Sequence, residues 1–136
     1  MVKRADIVTA ARSFVGVPYR HQGRTKNGLD CVGLLIVIAH GLGISDFDVS
    51  GYARNPSGNM MRRVLRHHTI QIDLSEINHG DILHMAFGKQ PQHIAIVSND
   101  FPIRIIHADA VVGSVVEHGL DAEWRSKVRG AYMVQI

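Results

Sequence analysis

Cysteine is nearly absent. The 136-residue chain holds one, Cys31, so no internal disulfide is available and the fold rests on packing alone. Paired-cysteine spacings and a His-Glu-x-x-His sequence are also missing, and these are the usual sequence signatures of a zinc site. Long hydrophobic runs are missing too. The apolar stretch 32–39 is stopped by His40-Gly41 and Gly43, short of the roughly 18 to 20 residues that a membrane span requires. Met1-Val2-Lys3-Arg4-Ala5-Asp6 is charged, with no apolar segment or small-residue cleavage site behind it, so the expectation is a chain made in the cytoplasm without its own secretion signal. Repeats, low-complexity segments and linkers are lacking as well. With 46% hydrophobic residues the expectation is one compact domain over residues 1–136. Strong charge of one sign is the last absence. The net charge is +3 and the pI about 9.4, which suits an anionic polymer such as cell wall and does not call for a nucleic-acid partner.

The single thiol stands where a glycine-containing loop meets an apolar run, Gly28-Leu29-Asp30-Cys31-Val32-Gly33-Leu34-Leu35. Asp30 is a good N-cap and the run through Ala39 and Leu42 has the length of a buried helix, which places Cys31 at the first helical position. Unpaired backbone N–H groups and the positive end of the helix dipole favour a thiolate there, the reactive form of cysteine. Asp30 opposes this, because a neighbouring carboxylate raises the thiol pKa unless it is engaged elsewhere. A nucleophilic Cys31 therefore requires a histidine partner. The competing account is a small buried hydrophobe.

Ile7, Val8, Ala11, Phe14 and Val15 repeat at helical spacing and present a core-facing stripe, with Gly16-Val17-Pro18 ending the helix. Residues 18–29 are polar and glycine-punctuated, a loop leading into the Cys31 helix. Residues 44–58 are irregular, with Gly51, Pro56 and Gly58 as breakers. Met60, Met61, Val64 and Leu65 predict a short helix with Arg62, Arg63 and Arg66 on its other face. The second half changes to β-branched runs, predicting strands at 82–87, 94–98, 103–108, 111–116 and 131–136. Residues 88–92 and 98–102 are the connecting turns. Helices followed by an antiparallel meander is an α+β order.

His93 opens the strand His93-Ile94-Ala95-Ile96-Val97, and His107 ends Ile103-Arg104-Ile105-Ile106-His107. Pairing through the short turn between Val97 and Ile103 makes the two histidines neighbours on one face. A thiol nucleophile needs such a relay, in which a base takes its proton and a third group fixes the tautomer of the base.

Gly16-Val17-Pro18-Tyr19, Gly23, Asp30-Cys31-Val32-Gly33-Leu34, Gly80-Asp81-Ile82-Leu83, His93-Ile94-Ala95-Ile96-Val97 and Ile106-His107-Ala108, in this order, resemble the signature of NlpC/P60 cysteine peptidases from about residue 5 to the last strand. The resemblance implies a papain-like α+β fold, in which the helix of the nucleophile packs on an antiparallel sheet bearing the base. By it Cys31 is the nucleophile, His93 the general base and acid, and His107 the residue that orients His93. It implies cleavage of amide bonds in peptidoglycan stem peptides, commonly between D-glutamate and the diamino acid. The reaction runs through an acyl-enzyme whose oxyanion meets a backbone N–H at the helix start. Tyr19 matches a tyrosine that helps line the site, and Asp30 an aspartate that receives the free amine of the stem peptide. No metal or organic cofactor is implied.

Val32 departs from the family, where most members carry Ser that helps hold that amine; stems still attached to glycan are the alternative substrate. Tyr19-Arg20-His21-Gln22-Gly23 ahead of Gly28-Leu29-Asp30-Cys31 is most similar to the compact phage-type branch. That branch implies tail-tip or tail-hub proteins of a phage or gene-transfer particle as partners, and action in the periplasm or cell wall. Three other accounts compete: a metal hydrolase built from His79, His84, His93 and His107 with Asp81, a catalytically silent structural subunit of the tail hub, and a thiol amidase or acyltransferase acting on another substrate.

Overall fold

The computed structural model describes residues 1–53, 60–87 and 90–136. Three helices, α1 (Arg4–Arg12), α2 (Cys31–Gly41) and α3 (Met60–His68), pack on one face of a six-stranded antiparallel sheet. Its strands are β3 (Thr69–Ile72), β4 (Ile82–Phe87), β5 (Gln90–Asp100), β6 (Ile103–Asp109), β7 (Ser114–Gly119) and β8 (Val128–Val134). The α+β architecture predicted from the sequence is the one present.

Strands β4 to β7 form the expected meander, but β8 does not extend it. The chain crosses back so that β8 pairs with β4 on one side and β3 on the other, in the order β3-β8-β4-β5-β6-β7. Both faces of the sheet are covered, which is why Ile94-Ala95-Ile96-Val97 reads as a continuous apolar run. Ile94, Ile96 and Ile106 meet the helices, while Ala95, Val97 and Ile105 pack with Leu120 and Trp124 on the opposite face. Trp124 belongs to α4 (Ala122–Arg125), a single turn that the sequence pattern did not signal.

Several boundaries differ from expectation. Helix α1 stops at Arg12 and Ser13 caps it, so Phe14 packs on the core from a turn while Val15 is 45% exposed and not part of the buried stripe. Residues 18–29 are not wholly loop: β1 (Arg24–Thr25) and β2 (Gly28–Leu29) form a small hairpin. The expected strand 111–116 begins instead at Ser114, because Val111 and Val112 lie exposed in the turn after Asp109. The last strand starts three residues earlier than expected, at Val128, and ends at Val134. Strand β5 is longer than predicted at both ends, so of the second predicted turn only Phe101 and Pro102 lie outside strands. Pro56, Gly58, Gly88 and Lys89, named above as breakers or turn residues, lie outside the described residues.

The first helix is tied to the sheet by Arg4, whose Nη1 donates to Asp81 Oδ1 at 2.6 Å and to the His79 carbonyl. Asp81 also accepts from the Asn78 N–H, at 2.8 Å. Gly80 precedes it at φ +86, close against the backbone of Arg4, a position where an L side chain would be strained. The Gly80-Asp81 pair is thus a docking device for α1.

Candidate active site

Cys31 is the first residue of α2 and Asp30 its N-cap, as the sequence predicts. Asp30 Oδ1 accepts the Gly33 N–H at 2.7 Å. The remainder of this carboxylate is engaged from the loop side. Its Oδ2 accepts the Gln22 N–H at 2.8 Å and the Tyr52 hydroxyl at 2.6 Å, and Arg24 Nη1 lies 3.4 Å from Oδ1. Arg24 in turn donates to Asp48, to the Val49 carbonyl and to the Tyr52 hydroxyl. A Cβ on Gly33 would collide with the Gly23 carbonyl oxygen, so the hairpin lies directly on the first turn of α2. Asp30 is 3% exposed, and this network is what allows its charge to be buried.

The thiol is not lowered by this setting. Cys31 keeps some contact with solvent as a residue, but its sulfur is enclosed, and loss of hydration pushes its pKa up to about 12. The Asp30 charge adds to the rise. The backbone N–H groups of Ile94, Val32 and Cys31 itself work against it. The helix start therefore favours the thiolate, as expected, but is outweighed. The contact with the Ile94 N–H also fixes where the sulfur sits, against the residue that follows His93.

His93 is 7% exposed and His107 fully buried. Ile96 faces Ile106 across β5 and β6; continuing that register puts His107 opposite Ala95, diagonal to His93 on the same face, as predicted from the hairpin. Their rings meet edge to face with His93 Nε2 2.8 Å from His107 Nδ1. The register between β4 and β5 slips between Met85 and Phe87, beside the Met85 and His93 pair, the kind of irregularity that re-aims a side chain. Burial pushes the His93 imidazole well below its usual range, and the neighbouring His107 and His84 add to the shift. Burial, with His118 second, lowers His107 to about 4. Both rings are therefore neutral at physiological pH.

Tyr19 bridges to Leu29, two residues ahead of Cys31, and its N–H donates to the Gly113 carbonyl at 2.8 Å. Of the residues named for a metal site, Asp81 pairs with Arg4 and His79 lies 2.9 Å from Asp100, while His93 bonds to His107, and among the described residues no group of three metal-ligating side chains converges on one point. Sequence reasoning missed three contributors. Tyr52 and Arg24 lie in segments without periodicity, where nothing signals a partner. His118 continues the line of histidines on β7, with its Nε2 2.8 Å from His107 Nε2.

The site thus joins a thiol at the start of a helix to an antiparallel sheet that carries buried, mutually bonded histidines, on an α+β scaffold. The chain belongs to the NlpC/P60 family, whose sequence profile matches residues 16–133. It is similar in structure to the NlpC/P60 domain of the peptidoglycan hydrolase SagA, at 24% identity and a TM-score of 0.68, covering 99% of this chain and 100% of that one. An NlpC/P60 family protein from Bacillus cereus has 25% identity and a TM-score of 0.72 over 96% of this chain and 39% of its own. The peptidoglycan hydrolase RipB from Mycobacterium tuberculosis has 18% identity and a TM-score of 0.66 over 98% of this chain and 66% of its own. No curated protein sequence matches the chain. The helices on an antiparallel sheet are thus the fold of NlpC/P60 domains.

Proposed function

We propose that this chain is a cell-wall hydrolase, a cysteine endopeptidase that cuts amide bonds in peptidoglycan stem peptides, with the D-glutamate to diamino acid bond as its target. The observation that carries the reading is that Cys31, at the start of α2, lies against the N–H of Ile94, the residue next in sequence to His93, whose Nε2 is 2.8 Å from His107 Nδ1. Family membership supports it, as do the peptidoglycan hydrolases SagA and RipB among similar structures.

In this reading Cys31 attacks as a thiol. As its sulfur bonds to the stem-peptide carbonyl, the proton passes to His93, and the carbonyl electrons move onto oxygen to give a tetrahedral adduct. The N–H groups of Cys31 and Val32 at the first turn of α2 are donors for that oxyanion, since Asp30 caps Gly33 instead. Collapse breaks the C–N bond, His93 returns the proton to the leaving amine, and a thioester remains. Water, deprotonated by His93, then releases the acid and restores the thiol. His107 holds His93 in place, and Tyr19 lines the approach beside Leu29.

Asp30 has a separate part in this account. Its two oxygens already accept from two backbone N–H groups and the Tyr52 hydroxyl, with a guanidinium beside them, and Val32 replaces the serine usual in the family. We therefore assign Asp30 to holding the nucleophile's helix and not to binding a substrate amine, which favours stems still joined to glycan. The phrase from Tyr19 to Gly23 supports a phage-type setting, in which the domain rides in a tail tip or hub and acts on the wall.

Mass spectrometry of fragments released from purified peptidoglycan tests the reading. Fragments cut at a stem-peptide amide by the wild type, and absent with Cys31→Ala, are expected. No release, with Cys31 still readily alkylated, overturns it in favour of a silent tail subunit or a different acyl substrate.

A further inference from the structure

The line of histidines continues past the residues assigned above. His93, His107 and His118 lie on one face of three consecutive strands, since His107 faces Val116 and Ile105 faces His118 across β6 and β7. Their rings stand edge to face, at centroid distances of 4.8 and 5.0 Å, and Trp124 packs against both His107 and His118. The nitrogen contacts run without a gap: His93 Nε2 to His107 Nδ1 at 2.8 Å, His107 Nε2 to His118 Nε2 at 2.8 Å, and His118 Nδ1 to the Gly119 carbonyl oxygen at 2.9 Å.

The last of these decides the rest. A carbonyl oxygen only accepts, so His118 Nδ1 carries the hydrogen, and in a neutral ring its Nε2 is bare. His107 must then supply the hydrogen for the 2.8 Å contact from its own Nε2, which leaves His107 Nδ1 bare. That nitrogen accepts from His93 Nε2. With three neutral rings and one carbonyl, only this arrangement satisfies all three bonds, and it leaves His93 Nδ1 as the nitrogen without a proton. Because His93 Nε2 is committed to His107, Nδ1 is the one able to act as a base. Removing the acceptor on His118 opens the reverse arrangement, in which His107 donates from Nδ1 to His93 Nε2 and the hydrogen of His93 sits on Nδ1, where it blocks uptake of the thiol proton.

We propose that His118 is a positioning residue: anchored on the Gly119 carbonyl, it sets the direction of the hydrogen bonds along the three histidines and so keeps His93 in the tautomer that can deprotonate Cys31. The proposal rests on the reading of Cys31 and His93 as the reacting pair.

The test is long-range proton–nitrogen NMR on the full chain with labelled histidine at pH 8, together with the alkylation rate of Cys31 by iodoacetamide, for the wild type, His118→Gln and His118→Leu. The wild type should show hydrogen on Nε2 of His93 and His107 and on Nδ1 of His118. A glutamine amide can both accept from His107 and donate to the carbonyl, so His118→Gln should keep the pattern and the rate. His118→Leu should move His93 toward the Nδ1–H tautomer and slow alkylation about tenfold or more, as expected when a base holds its hydrogen on the wrong nitrogen. A wild-type His93 with hydrogen on Nδ1, or a leucine variant with unchanged His93 signals and rate, overturns the proposal. Should His118→Leu not fold, the wild-type and glutamine spectra decide it. If His93→Ala alkylates as fast as the wild type, the reacting pair is wrong, while the tautomer pattern is still read from the spectra.

Discussion

A thiol that holds its proton to about pH 12 and an imidazole that burial keeps neutral are both uncharged at rest, so in the proposed mechanism charge appears only as the sulfur attacks. Alkylation of Cys31 should therefore keep accelerating with pH from 6 to beyond 9; a plateau already reached in acid would instead establish a standing thiolate–imidazolium pair. Cys31→Ala should stop fragment release yet cost about 1 kcal/mol in thermal stability, because a single sulfur atom is removed from a small side chain. A large loss would favour a purely structural thiol. Asp30 and Cys31 were legible in the sequence because capping is local chemistry, and His93 with His107 because one short turn relates them. His118 was not: with a strand expected at 111–116 it falls past the strand end, whereas the true strand starts at Ser114 and carries it.

At the scale of elements, the start of α2 is held by a loop with no apolar pattern of its own. Leu29 and the β1–β2 hairpin bring Arg24 to Asp30, and Tyr52 closes the other side. Tyr52 lay in a stretch where sequence periodicity is silent, because its contribution is one hydroxyl donated to a carboxylate 22 residues away. Asp30→Ala leaves the Tyr52 hydroxyl and two backbone N–H groups without their acceptor and removes one of the anions beside Arg24, so it should cost roughly 3 kcal/mol, a fall in Tm of about 10 °C. Tyr52→Phe removes one bond and should cost about 1 kcal/mol. Differential scanning calorimetry checks both, and equal losses would mean that Asp30 is not the centre of the network. Gly33 belongs to the same device: the helix periodicity that predicted α2 gave no hint that a methyl group there would push the Gly23 carbonyl, and with it the hairpin, off the cap.

Over the whole molecule, the sheet order joins residues distant in sequence, and β8 in the interior of the sheet was the part that local pattern did not reveal, since an apolar run names a strand but not its neighbours. Burial of histidine in this sheet also shapes its response to acid. His107 has a folded pKa of about 4 against an unfolded value near 6.5, so between those values the unfolded chain binds more protons. Stability is complete above the unfolded value and falls as pH drops toward 4, by roughly 3 kcal/mol from this residue; His93 acts in the same direction. Urea titrations at pH 7.5 and 4.5 should show the loss, and His107→Gln should flatten it; an unchanged slope would mean that His107 is not the titrating group. The division of the site along the chain has a further outcome during synthesis. In the proposed mechanism the nucleophile leaves the ribosome on α2, long before β5, β6 and β7 exist to carry the histidines assigned to its base and the base's partners. Under that mechanism Cys31 is an ordinary cysteine until those strands dock, and activity is withheld from the nascent chain by the order in which it is made.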